Sequence, residues 1–238
     1  DLDEEEEIFL SQQVSEMISW HRKLMLPSYS EYLKNTANML EVGQYGKDDI
    51  TNILADGKSL IEETTIGLTP YASKFLVRNQ SLENIKYIEE RMEIRKNERL
   101  VELSKSNEVL YKERIEKLTT NFERFFGKLT SEQMILIETY AKITLGHAKI
   151  RLNNRTLRQK AFINFLRTQP SETEITKYLN KLLLNGHLIV NPSHKEFSKI
   201  SLELFNELLV NILSISLTSQ REKIIIKLRG YAEDFRSI

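Results

Sequence analysis

The sequence predicts an all-α protein, an elongated or multi-layer antiparallel helical bundle with one long central helix. Three observations lead there. Eight glycines and four prolines in 238 residues are too few to punctuate a many-stranded sandwich or barrel. Apolar residues recur at intervals of three and four along most of the chain. Capping signals stand at the starts of several of these periodic stretches. The chain is long enough to bury a substantial core, and the expectation is one all-helical domain over residues 1–238, with an acidic N-terminal tether at 1–7 and candidate layers at 8–127 and 128–238.

From Ile8 the positions Leu10, Val14, Met17, Ile18, Leu24 and Met25 fall at helical spacing, and the acids ahead of them suit the positive end of a helix dipole. Pro27, without an N–H, kinks or restarts that helix. A second helix is expected from about Tyr29 to Val42, stopped by Gly43 and Gly46. A third, capped by Asp48 or Asp49, runs to about Ile66. Leu68-Thr69-Pro70 reads as a fresh cap with proline in the first turn. From Ser81 to Phe126 there is neither Pro nor Gly, so this stretch is the candidate long helix. Its charge-dense middle, with Glu108/Lys112 and Glu113/Lys117 one turn apart, reads as a solvated face.

Thr130-Ser131-Glu132-Gln133 has capping-box spacing after Gly127, and the helix it starts is expected to run past Arg151. Further helices are expected near 156–168, 171–185 (Ser171 cap, Glu174 three residues on), 194–215 and 219–235. Asn185-Gly186 and Asn191-Pro192 mark turns between them.

Composition removes several function classes. Cysteine is absent, which excludes disulfides, thiolate metal sites and cysteine nucleophiles. The 34 basic and 34 acidic residues balance, against the cationic excess that phosphate neutralisation demands, so no nucleic-acid partner is expected. His21, His147, His187 and His194 lack metal-site spacing, and neither a Gly-x-Ser-x-Gly elbow nor a glycine-rich phosphate loop occurs. No cofactor, metal or catalytic centre is expected. No apolar run reaches the roughly 20 residues that span a bilayer. The opening DLDEEEE is not the positive start of a secretory signal, which leaves a cytosolic protein or one whose signal has been trimmed.

Charge is distributed unevenly. Residues 139–171 hold seven cations and no acid, whereas residues 1–21 hold seven acids and no Lys or Arg. In a continuous helix His147, Arg151, Arg155 and Arg158, spaced four, four and three apart, share one face. This stripe is the candidate surface for an anion or an acidic partner, with arginine supplying bidentate contacts to phosphate or carboxylate. The competing reading is that the same arginines pair with acids of neighbouring helices. A second constellation, Trp20, His21, Arg22, Pro27 and Tyr29, reads as a structural junction in which the proline sets a turn and the aromatics fill the angle.

Several blocks also form a recognisable set: Trp20-His21-Arg22 with Leu26-Pro27, Tyr29 and Leu33; Leu129-Thr130-Ser131-Glu132-Gln133; Asn154-Arg155; Asn191-Pro192; and Leu228-Arg229-Gly230-Tyr231-Ala232-Glu233-Asp234-Phe235. Together they resemble a family of uncharacterised lipoproteins of Gram-negative bacteria, catalogued as a domain of unknown function. The pattern departs at Leu76-Val77-Arg78-Asn79-Gln80, where valine replaces Thr or Ser, and at Leu217-Thr218-Ser219-Gln220, where the spacing is one residue short and Ser219 with Glu222 offers a replacement box. The resemblance implies a non-enzymatic envelope protein with a binding or structural role, held to a membrane, the outer membrane among the candidates, by a lipid on a cysteine upstream of Asp1 and facing the periplasm. In that setting the cationic stripe makes an anionic lipid or an envelope protein the candidate partner. The Leu-Thr-x-x-Gln pattern is similar to that of Spy-like periplasmic chaperones, so the alternative is a protein that shelters unfolded clients.

Overall fold

A computed structural model describes residues 4–43 and 45–237, and these are helical almost throughout, with no strand among them. The order is α1 (Glu4–Trp20), a π-helical stretch (His21–Met25), α2 (Leu26–Val42), α3 (Lys47–Arg78), α4 (Leu82–Glu102), α5 (Asn107–Phe126), α6 (Ser131–Ile143), α7 (His147–Leu166), α8 (Glu172–Asn185), a 3₁₀ turn (Gly186–Leu188), α9 (His194–Ser214) and α10 (Thr218–Ser237). Among the described residues no helix is long and apolar enough to cross a membrane. The first three residues of the expected tether lie outside the described ones, and Glu4–Glu7 form the first turn of α1 instead of a free segment.

Where the elements differ from expectation, a local interaction explains the difference. The long helix expected over Ser81–Phe126 is two, because Ser106 caps α5 by accepting the Val109 N–H at 3.3 Å. Glu108 pairs with Lys112 as expected, at 2.9 Å, but Glu113 reaches back across the break to Lys105 at 2.6 Å. In the other direction, α3 runs straight through Pro70. Proline cannot donate to the Ile66 carbonyl one turn back. The Thr69 hydroxyl donates to that carbonyl at 2.8 Å, so Thr69 repairs the helix it was expected to start. Pro27 similarly falls in the first turn of α2, directly after the π-helical stretch that absorbs the irregularity. The helix beginning at Ser131 ends at Ile143, ahead of Arg151, and the chain turns at Thr144–Gly146 before α7 begins.

The capping boxes at Thr130/Gln133 and Ser171/Glu174 both form, each with reciprocal side-chain and backbone bonds. At α10 the replacement box on Ser219 does not start the helix. Gln220 accepts the Leu217 N–H at 3.1 Å, so the glutamine serves despite its shortened spacing. At Leu76–Arg78 the chain is the end of α3, and the cap of α4 is Ser81, which accepts the Asn84 N–H at 3.1 Å.

The chain divides into two compact units, each assembled from three stretches: residues 1–25, 61–102 and 150–195 in the first, and 26–60, 103–149 and 196–238 in the second. The division thus interleaves along the sequence and does not fall near residue 128. In the first unit Ile85, Ile163 and Leu166 form a buried cluster flanked by Leu76, Ile88, Met92, Phe162 and Phe165. The Phe165 and Tyr178 rings stack 3.9 Å apart, and the Arg78 guanidinium lies 3.6 Å over the Phe9 ring. Polar pairs also tie α3 to α8: the Thr69 hydroxyl is 2.8 Å from the Asn180 amide oxygen, and Thr176 is 2.8 Å from Ser73.

In the second unit a larger core joins α2, α3, α5, α6, α9 and α10 through residues including Leu40, Ile50, Phe122, Ile137, Ile212 and Ile224. The α2–α10 pair is further fixed by Ser30, which donates to the Ala232 carbonyl at 2.6 Å, and by Arg229, which donates to Glu41 at 2.6 and 3.0 Å.

Candidate functional site

The four residues of the expected stripe all lie on α7, yet their surroundings differ. His147 is engaged inside the second unit: its Nδ1 lies 3.2 Å from the Ser201 hydroxyl, and its ring meets that of Phe197 edge-on at 4.8 Å. Arg151, Arg155 and Arg158 belong to the first unit. Arg151 and Arg155 are exposed and Arg158 is half-buried. Among the described residues no acid forms an ion pair with Arg155 or Arg158.

Arg158 is the centre of the arrangement. Its side chain crosses tightly over Gly186, where an added Cβ would stand 2.6 Å from the arginine Cδ. Gly186 has an ordinary right-handed φ of −57°, so the close approach, not the backbone angle, is what requires glycine here. One Arg158 Nη reaches the Leu182 carbonyl at 3.5 Å, a marginal contact, and its Nε is buried with no hydrogen-bond partner. Beyond the Gly186 turn the chain continues through His187 to His194, which stands in the field of Arg158 and Arg151. Burial first, and then the positive charges of Arg158, Arg151 and His187, hold the His194 imidazole below the usual histidine range.

The result is a group of cationic and protonatable side chains at one place: two arginines from α7 and two histidines from the segment after α8. Helical spacing in α7 pointed to Arg151 and Arg158 but not to these histidines, whose arrival depends on the turn at Asn185-Gly186. That dipeptide was legible as a turn; which cations it would face was not. A half-buried guanidinium with no ion-paired acid among the described residues has the chemistry of an anion receptor, since carboxylate and phosphate oxygens accept planar paired N–H groups.

The second constellation is shared between the two units, Trp20, His21 and Arg22 in the first and Pro27 and Tyr29 in the second. Trp20 is half-buried on Gly67 of α3, where an added Cβ would lie 1.9 Å from ring atom Cζ2, and it belongs to neither hydrophobic cluster. Its ring centroid is 6.4 Å from that of His21, and Arg22 is exposed. Pro27 is exposed, while Tyr29 packs edge-on against Phe235 at 5.9 Å in the second unit.

The chain belongs to a family of unknown function, DUF6279, whose family model matches residues 1–191. No curated protein and no solved structure matches the chain.

Proposed function

We propose that this is a non-enzymatic binding protein of the bacterial envelope that meets anionic lipid headgroups through Arg151, Arg155 and Arg158 with His187 and His194. The observation that carries this reading is the half-buried Arg158, with no acid paired to it among the described residues and with further cationic and protonatable groups beside it. Removing a charge from water is costly unless an opposite charge or hydrogen-bond acceptor meets it, and a phosphate would supply both. The competing reading, that the stripe is neutralised by neighbouring helices, lacks an ion-paired acid at Arg155 and Arg158 among the described residues.

The envelope address, the periplasmic orientation and a lipid anchor upstream of Asp1 rest on the resemblance of the Trp20-His21-Arg22 and Arg229-Gly230-Tyr231 blocks to exported lipoproteins. In such a setting headgroup phosphates are the most abundant anions within reach of a tethered protein. The test is co-sedimentation with vesicles containing phosphatidylglycerol, at about 0.1 M and about 1 M salt, where screening lengths are roughly 10 and 3 Å. Binding at the lower salt that is largely lost at the higher supports the reading. Equal retention on vesicles of neutral phosphatidylcholine contradicts it.

A further inference from the structure

The second unit contains a half-open cavity of about 390 Å³ lined by residues of α2, α3, α5, α9 and α10. Met39, Ile53, Phe122 and Leu209 represent its wall, which is aliphatic and aromatic on every side. Among the described residues its polar lining consists of Thr36 and Asn121, and no charged side chain lines it. The Thr36 hydroxyl is already committed, donating to the Tyr32 carbonyl at 2.8 Å. Asn121 is exposed, so its amide marks the rim.

Such a space has two possible explanations, a packing defect or a binding site. Left unoccupied, a half-open apolar wall stays against water, which is unfavourable by about 25 cal/mol per Å² of exposed apolar surface. Water is a poor filler, because it needs several polar partners and this wall offers almost none. An apolar cavity of roughly 150 Å³ stays dry and takes up a benzene-sized molecule. By that measure the present one has room for roughly ten to sixteen carbon atoms. A charged or strongly polar ligand would be stranded inside, whereas an amphiphile can bury its tail and leave its head in water at the rim.

We infer that this cavity binds one aliphatic chain of a single-chain amphiphile, such as a fatty acid or fatty alcohol, with the tail among Met39, Ile53, Phe122 and Leu209 and the head beside Asn121. The inference stands on the second unit alone and does not depend on the arginines of α7.

The test uses the full chain, freed of bound lipid by organic extraction and refolding, with dodecanoic acid and dodecan-1-ol as probes. Native mass spectrometry is expected to show one probe molecule per chain, and the melting temperature is expected to climb with the logarithm of probe concentration. Leu209→Trp, which fills the space, is expected to weaken both probes by roughly tenfold or more with helix content unchanged. Met39→Phe serves the same purpose should the tryptophan variant not fold. Asn121→Asp places a carboxylate at the rim and is expected to weaken the acid more than the alcohol.

Absence of binding by either probe, together with a higher melting temperature for Leu209→Trp, would identify a mere packing defect and overturn the inference. So would binding that neither filling variant affects. Capture of a diacyl phospholipid from phosphatidylcholine vesicles without affinity for dodecanoic acid would overturn the single-chain assignment. Suppression of aggregation of reduced, unfolded lysozyme, lost in Leu209→Trp while neither probe binds, would replace the ligand with an unfolded client.

Discussion

Gln133 and Gln220 face each other in the second unit and exchange two amide hydrogen bonds: Gln133 Nε2 donates to Gln220 Oε1 at 3.0 Å, and Gln220 Nε2 donates to Gln133 Oε1 at 2.9 Å. They are 0% and 3% exposed. Each oxygen also accepts the backbone N–H that opens its own helix, Thr130 at 3.0 Å for α6 and Leu217 at 3.1 Å for α10. Gln220 donates its remaining N–H to the Lys128 carbonyl at 2.9 Å. What looks like a local capping pattern in each helix is thus a shared junction that locks two helix starts together.

Removing one member strands the other. Gln133→Leu leaves the Gln220 amide short of a partner in a dry site, and a loss of about 1–3 kcal/mol is expected, with a similar loss for Gln220→Leu. The double variant is expected to lose less than the sum, because no stranded amide remains. Urea unfolding of the four proteins measures this. Strict additivity would mean that the two side chains act only as separate caps.

Trp20 and Gly67 form a second coupled pair. A methyl group on residue 67 would stand 1.9 Å from the indole, so Gly67→Ala must displace the ring and is expected to cost about 1–3 kcal/mol. Trp20 is the chain's one tryptophan, so a red-shifted emission reports the displacement directly. Because the ring is half-buried, Trp20→Ala is expected to cost less than the roughly 3–5 kcal/mol of a core tryptophan. In that background Gly67→Ala is expected to become stabilising, since alanine is favoured over glycine in a helix by about 0.8–1.0 kcal/mol. A penalty that persists without the indole would refute the contact as its cause.

His194 gives the pH dependence. Its imidazole is held below the usual histidine range in the folded protein, so on acidification the unfolded chain takes up this proton first. Stability linked to His194 is therefore present above the unfolded value of about 6.5 and is lost as pH falls through it toward the lower folded value. His194→Gln is expected to flatten the fall in urea midpoint between pH 8 and pH 5.5. An unchanged slope would show that neither burial nor the neighbouring charges of Arg158 and Arg151 hold the imidazole down.

The helical class was legible because it rests on periodicity and on the scarcity of breakers, and the boxes at Thr130 and Ser171 because their chemistry is local. Thr69-Pro70 misled for a related reason: the same residues that cap a helix start can, inside a helix, satisfy the carbonyl that proline abandons. The break at Ser106 had a signal, the polar Ser104-Lys105-Ser106-Asn107 cluster, but an unbroken apolar side on both flanks outweighed it. At the candidate site, spacing located Arg151, Arg155 and Arg158. It put His147 on the same helix, and it gave no sign of His187 and His194. The Gln133–Gln220 pair and the apolar cavity were beyond reading, since both depend on which helices meet.

The most direct measurement is binding of the native chain and of Arg155→Gln/Arg158→Gln to phosphatidylglycerol vesicles at low salt, with both melting temperatures recorded. The native chain is expected to bind. The variant is expected to lose most of that binding while melting within about 2 °C of the native protein, a shift equivalent to about 0.5–1 kcal/mol at this chain length. A native chain that ignores the vesicles, alongside a variant that melts several degrees lower, would contradict the account and make the α7 arginines part of the protein's own packing.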